Sequence, residues 1–87
     1  MAYAPDPILG HVLRERRGDR SQEDVGYHAG VTAATVGRME LAKSKPDWAS
    51  VRSVADALGI SLVELATAIE DAEGKLKRPP ARLVDAP

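Results

Sequence analysis

General acid–base, nucleophilic or metal chemistry in this 87-residue chain would have to draw on two histidines, a scatter of serines and paired acids. The chain has no cysteine, which removes disulfides, thiolate metal sites and cysteine nucleophiles. His11 and His28 have no matching carboxylate or thiol partners, and a structural or catalytic metal site needs more than two separated imidazoles. Ser21, Ser44, Ser50, Ser53 and Ser61 fall at helix caps or helix surfaces, and neither histidine has a nucleophile beside it. Glu23-Asp24 and Glu70-Asp71 are adjacent pairs, so on a helix their carboxylates point in different directions. With no glycine-rich phosphate cradle either, we expect no enzyme, no cofactor and no metal. The remaining chemistry is cationic. Arg14, Arg16, Arg17 and Arg20 crowd one stretch, while Arg38, Lys43 and Lys45 mark another.

The elements that must position these groups follow from apolar spacing. Ile8, Leu9, Val12 and Leu13 share one face of a helix from about Pro7 to Arg17, which Gly18-Asp19 breaks. Ser21 fits an N-cap, with Asp24 completing an acidic capping box. That second helix runs to about Ala29 and closes at Gly30, a candidate left-handed cap. Thr32 opens a third helix through Ala33, Ala34, Val36 and Met39 to about Leu41. After the turn Lys43-Ser44-Lys45-Pro46, Asp47 caps a fourth helix with Val51, Val54, Ala55 and Leu58 on its face. Ser61 and Glu64 form a capping box for a fifth, striped by Leu62, Leu65, Ala66 and Ile69 and stopping near Gly74.

The expected fold is therefore all-α, a compact domain of five short helices over residues 8–73. A loose N-terminal arm (1–7) and a basic, proline-containing tail (74–87) flank it. The tail is expected to be flexible on its own; the alternatives are contact with an anionic partner through its basic residues or packing of Leu83 and Val84 on a partner subunit. No apolar run is long enough to span a membrane, and MAYAPDPILG lacks the pattern of a signal peptide, so a cytoplasmic protein is expected. One domain of this length buries only about 60% of its unfolded surface, so it would gain from a partner.

Ser21–Glu40, SQEDVGYHAGVTAATVGRME, places two short helices around a tight turn at Gly30-Val31-Thr32. Gly26 stands where two backbones crossing steeply need a minimal side chain, and Val31, Val36 and Met39 form the apolar wedge. This is the arrangement of a helix-turn-helix, whose second helix offers its N-terminal residues to the major groove.

The chain resembles the Cro/cI-type (XRE-like) helix-turn-helix family, a lambda-repressor-like fold. The likeness covers about residues 9–70 and rests on LGHVLRERR, SQEDV, AGVTAATVGRME, KSKPDW and VADALGISLVEL in that order. It implies a regulator of transcription that binds operator DNA, commonly as a dimer. By motif position, Ala33, Ala34 and Arg38 would face base edges, and Thr32 and Thr35 would lie near the backbone or groove edge. Gln22 would hydrogen-bond a phosphate and brace the recognition helix. Lys43 and Lys45 would meet phosphates, as would Arg20 beside the start of the second helix. Arg17 and Glu40 match the family's paired charges, which tie the first and third helices together.

The sequence also departs from that pattern. The link between the first two helices is about two residues shorter, and Gly26 stands where the family has Ala. Gly37 replaces a larger residue, at a cost of about 1 kcal/mol of helix stability, and Leu41-Ala42 replaces a polar residue and Gly. Ala33 and Ala34 offer only methyl contacts to thymine, which leaves hydrogen-bonded readout to Arg38 and the threonines. Twelve basic residues against thirteen acidic ones give a net charge of -1, unusual for a nucleic-acid binder. The reading is a repressor acting as a homodimer through residues 61–87. Two alternatives stand beside it: an antitoxin-like repressor that also holds a toxin, and a helix-turn-helix reused as a protein-interaction module. Trp48 packs on the neighbouring loop or serves a dimer surface.

Overall fold

The computed structural model describes residues 7–43 and 45–76, and every regular element among them is a helix. They are α1 (Pro7–Arg17), α2 (Gln22–Ala29), α3 (Ala33–Glu40), α4 (Trp48–Ala57) and α5 (Leu62–Leu76). The expectations for the arm before Pro7, for Ser44 and for the tail from Lys77 onward, Leu83 and Val84 included, lie outside the described residues.

Four helix starts follow the cap residues in the sequence. Ser21 accepts the Asp24 N–H at 2.9 Å, Thr32 that of Thr35 at 3.0 Å, and Asp47 that of Ser50 at 2.7 Å. Ser61 and Glu64 exchange both bonds of a capping box, at 3.0 and 2.8 Å. At Ser21 the reciprocal half of the expected box is replaced. The Asp24 carboxylate accepts from Arg20 Nε at 2.7 Å, because an arginine within reach is a stronger donor than a backbone amide.

Three helix ends share one geometry, in which the amide of a left-handed residue and the amide after it turn back onto the last carbonyls. In α2, Gly30 donates to Tyr27 O and Val31 to Gly26 O; in α4, Gly59 and Ile60 donate to Asp56 O and Ala55 O. In α3 the bonds run from Ala42 to Met39 O and from Lys43 to Arg38 O. The left-handed residue there is Ala42, with φ 56°, the only described non-glycine residue with positive φ. Its Cβ carries a steric cost that glycine avoids.

The helices wrap a small aliphatic core: Leu9, Val12 and Leu13 from α1, Val25 from α2, Val36 and Met39 from α3, Val51, Val54 and Ala55 from α4, and Leu65 from α5. Val31 packs against it from the turn. The face of α5 differs from the expected stripe. Leu65 is buried with Ala68, Ile69 and Ala72 packed beside it, whereas Leu62 and Ala66 are exposed. α5 packs chiefly on α1 and more lightly on α4, and that contact turns its inward face one step around the helix axis. The helix also continues through Gly74 to Leu76.

Two glycines set how closely the helices approach. A Cβ on Gly26 would lie 2.8 Å from Val31 O, so the turn before α3 folds directly over α2. A Cβ on Gly10 would lie 2.8 Å from Met39 O and closer still to the Glu40 carbonyl, so α1 crosses the end of α3 backbone to backbone. Sequence reasoning missed Gly10; its signal was a glycine between Leu9 and Val12 on an apolar face.

Ala42→Gly relieves the left-handed alanine while loosening the unfolded chain, for a net gain of about 0.5–1 kcal/mol. Gly26→Ala drives a methyl into a backbone carbonyl and costs about 1–3 kcal/mol. Urea unfolding midpoints should move in opposite directions for the two variants, and equal signs would contradict this account.

Candidate nucleic-acid interface

The pose of α3 is set by a polar chain running across three helices. Arg17, the last residue of α1, donates from Nε to Glu40 Oε2 at 2.6 Å and from Nη2 to Glu40 Oε1 at 3.0 Å. The Glu40 side chain is 3% exposed and that of Arg17 18%, so this two-pronged pair is largely withdrawn from water. Its hydrogen bond to Glu40 raises the pKa of Arg17 further and favours the charged form. Gln22, opening α2, adds an Nε2 hydrogen bond to the same Glu40 Oε1 at 3.0 Å. Its amide lies over Gly37, where a Cβ would stand 3.2 Å from Gln22 Oε1. Gly37 thus gives α3 room for the amide that braces it.

A second set of bonds holds the link between α1 and α2. Arg17 Nη1 donates to the Arg20 carbonyl at 2.8 Å. The Arg20 guanidinium donates to Asp24 Oδ2 at 2.7 Å and to the Ala57 carbonyl at the end of α4 at 2.7 Å. The hydrogen bond from Arg20 holds the Asp24 carboxyl below its usual range. Arg20 was expected beside the phosphates; its side chain is half-buried and engaged in joining α2 to α4.

With Val36 and Met39 in the core, the outer face of α3 carries Ala34, Arg38 and then Leu41, all exposed. Ala33 and Thr35 are half-buried at its edges, and Thr32, Lys43 and Lys45 are exposed at the two ends. Thr32 Oγ1 lies 2.9 Å from Thr35 Oγ1, so the two hydroxyls are turned toward each other. Tyr27, 82% exposed on α2, and Trp48, 62% exposed at the start of α4, stand in solvent rather than packing away. Periodicity marks such residues as apolar; only their exposure shows that they lie off the core.

The charges sort by position. Between Ala33 and Pro46 the only carboxylate is Glu40, which is buried and paired with Arg17, while Arg38, Lys43 and Lys45 are exposed. The exposed acids Glu64, Glu70, Asp71 and Glu73 lie on α5, which packs on α1 and α4. His11 and His28 sit near Glu15 and Asp24 on their own helices, and no group among the described residues has the ligands to hold a metal ion. Among those residues no helix is long and apolar enough to cross a membrane.

Two helices at a glycine turn, the second braced from behind and bare in front, define a helix-turn-helix protein. Residues 8–68 match the family described as a helix-turn-helix domain, and the chain belongs to that family. The domain is of the XRE-like, Cro/cI type, a DNA-binding module that carries out no catalysis. No curated protein matches the chain.

Removing Glu40 leaves a mostly buried guanidinium without its partner. Glu40→Ala should therefore cost about 3 kcal/mol, whereas Glu23→Ala on the exposed side of α2 should stay within about 0.5 kcal/mol. Equal losses in urea unfolding would show that the pair does not hold α3.

Proposed function

We propose that this protein is a sequence-specific regulator of transcription, a repressor that binds double-stranded DNA as a dimer. The observation that carries the reading is the stretch from Ala33 to Pro46, which presents three exposed cations, Arg38, Lys43 and Lys45, while its one carboxylate, Glu40, is withdrawn into the pair with Arg17; the exposed Asp47 that follows is held as the cap of α4. A local field of one sign is what a phosphate backbone responds to, whatever the total.

In this mechanism α3 enters the major groove and α2 lies across the backbone. Arg38 donates to a guanine edge, and Ala33 and Ala34 meet thymine methyls. Lys43 and Lys45 neutralise phosphates, with Thr32 and Thr35 at the groove edge. Glu40 takes one of the two Gln22 amide hydrogens, and the other faces a phosphate. Arg20 acts first through Asp24 and Ala57 to set the start of α2, and meets the backbone from there.

Dimerisation is proposed through residues 61–87. Exposed Leu62 and Val63 at the start of α5 support it. So does the adjoining groove lined by Ala49, Ile60 and Leu62 and flanked by Arg52 and Asp56. Sedimentation at rising concentration should show a monomer–dimer equilibrium that Val63→Glu shifts toward monomer.

Electrophoretic shifts with the upstream region of its own gene at two salt concentrations test the main reading. Binding should be sequence-dependent and weaken as salt rises. No shift on any DNA, together with a tight protein complex, would favour an interaction module, and a complex that shifts with a toxin attached would favour an antitoxin.

Arg38→Ala should reduce discrimination between sequences more than non-specific affinity. Lys45→Ala should weaken all sequences alike and lower the salt slope by about 1. Equal loss on all sequences for Arg38→Ala, or an unchanged slope for Lys45→Ala, would remove that residue from its role.

A further inference from the structure

We propose that this chain's own segment Arg82–Asp85 fills the groove between α4 and the start of α5, returning along α5 to seat Leu83 and Val84 there. The inference rests on α4 and α5 and not on the DNA-binding reading. It leaves Val63, 75% exposed, outward for the dimer surface proposed above.

The observation is an apolar edge that nothing among the described residues covers. Leu62, Ala66 and Ile69 recur at four- and three-residue spacing and so lie along one side of α5. The packing of α5 buries Leu65 instead, leaving Leu62 and Ala66 exposed and Ile69 half-buried. At its Leu62 end this edge opens into a groove of about 490 Å³, lined also by Ala49, Ser53 and Ile60. Arg52 and Asp56 stand in the same groove, four residues apart on α4 and both exposed. Neither has an ion-pair partner among the described residues.

The occupant follows from reach and from the order of side chains. Beyond Leu76 the sequence reads Lys77-Arg78-Pro79-Pro80-Ala81-Arg82-Leu83-Val84-Asp85. Two prolines in a row cannot continue a helix and favour an extended course. From Leu76 back to the level of Leu62 is about 21 Å along the helix axis. Seven extended residues span about 22 Å, which brings Leu83 to the groove. On the way, Lys77 and Arg78 pass the exposed acids Glu70 and Glu73 of the last turns of α5. In the groove Arg82 meets Asp56, Leu83 covers Ile60 and Leu62, Val84 covers Ser53, and Asp85 meets Arg52. Charge, two apolar residues and opposite charge thus face the same order on the wall. A segment tethered at Leu76 meets this site at high effective concentration, so a small apolar area holds it where a free peptide of that size would leave.

The experiment uses the full chain, whose lack of cysteine lets a disulfide be placed at will. In Ala49→Cys with Ala86→Cys, oxidised glutathione should close a link within one chain at a rate that does not change on dilution. Adding Leu83→Ser and Val84→Ser keeps the tether and both cysteines, and should slow closure about tenfold by removing the apolar contact. Non-reducing electrophoresis separates links inside a chain from links between chains.

Closure as fast with the serines as without them overturns the inference, because the tail then reaches the groove only by chance. A link that forms only between chains, and faster at higher concentration, also overturns it. The groove then takes the tail of a second copy, and the dimer reading stands. If Ala49→Cys does not fold, Arg52→Cys with Asp85→Cys makes the same comparison from another wall of the groove.

Discussion

Everything on the outer face of α3 depends on the buried pair between Arg17 and Glu40. An eight-residue helix has little stability of its own, and this one contains Gly37 in its interior. Its position is imposed from behind, by a guanidinium at the end of α1, an amide at the start of α2 and a carboxylate that accepts from both. Such a pair is weak evidence for stability, because desolvation offsets much of the attraction. Its value is geometric. Two parallel hydrogen bonds fix an orientation as well as a distance, and α1 and α3 meet in one register. The near contact of α1 with the end of α3 at Gly10 reinforces that register sterically.

The same pair resolves the apparent conflict in the charge total. A chain of net charge -1 looks ill-suited to an anionic partner. Glu40 is the one acid between Ala33 and Pro46, and burying it against Arg17 withdraws it from the surface field. Asp24 is likewise paired with Arg20. The carboxylates that bring the total below zero include four exposed on α5. Total charge is a sum without coordinates, and the field near a groove depends on the coordinates.

Departures from the family pattern prove to have local physical reasons. Gly26 accepts the turn backbone where an alanine methyl would collide with Val31 O, and Gly37 accepts the Gln22 amide. Ala42 has no such compensation. It occupies a left-handed position that the family gives to glycine, and it holds because the amides of Ala42 and Lys43 close the end of α3. The alanines at positions 33 and 34 change the vocabulary of the surface from hydrogen bonds to methyl groups.

Much of this was legible in the chain. Helix starts at Ser21, Thr32, Asp47 and Ser61 follow from side chains that can accept a bond three residues on, a local interaction that needs no tertiary knowledge. The ends at Gly30 and Gly59 are equally local, and the core faces of α1 and α4 follow from spacing, except that Ile8 stays outside the core. Tertiary structure decided the rest. Which side of α5 faces the core was set by the surface α1 and α4 offer it, so Ala68 and Ala72 replace Leu62 and Ala66 there. Arg20 went to Asp24 and Ala57, because a guanidinium takes whichever acceptors packing brings near, and Ala57 is 37 residues away. Local bonds are written in neighbouring residues; distant partners exist only once the helices have packed.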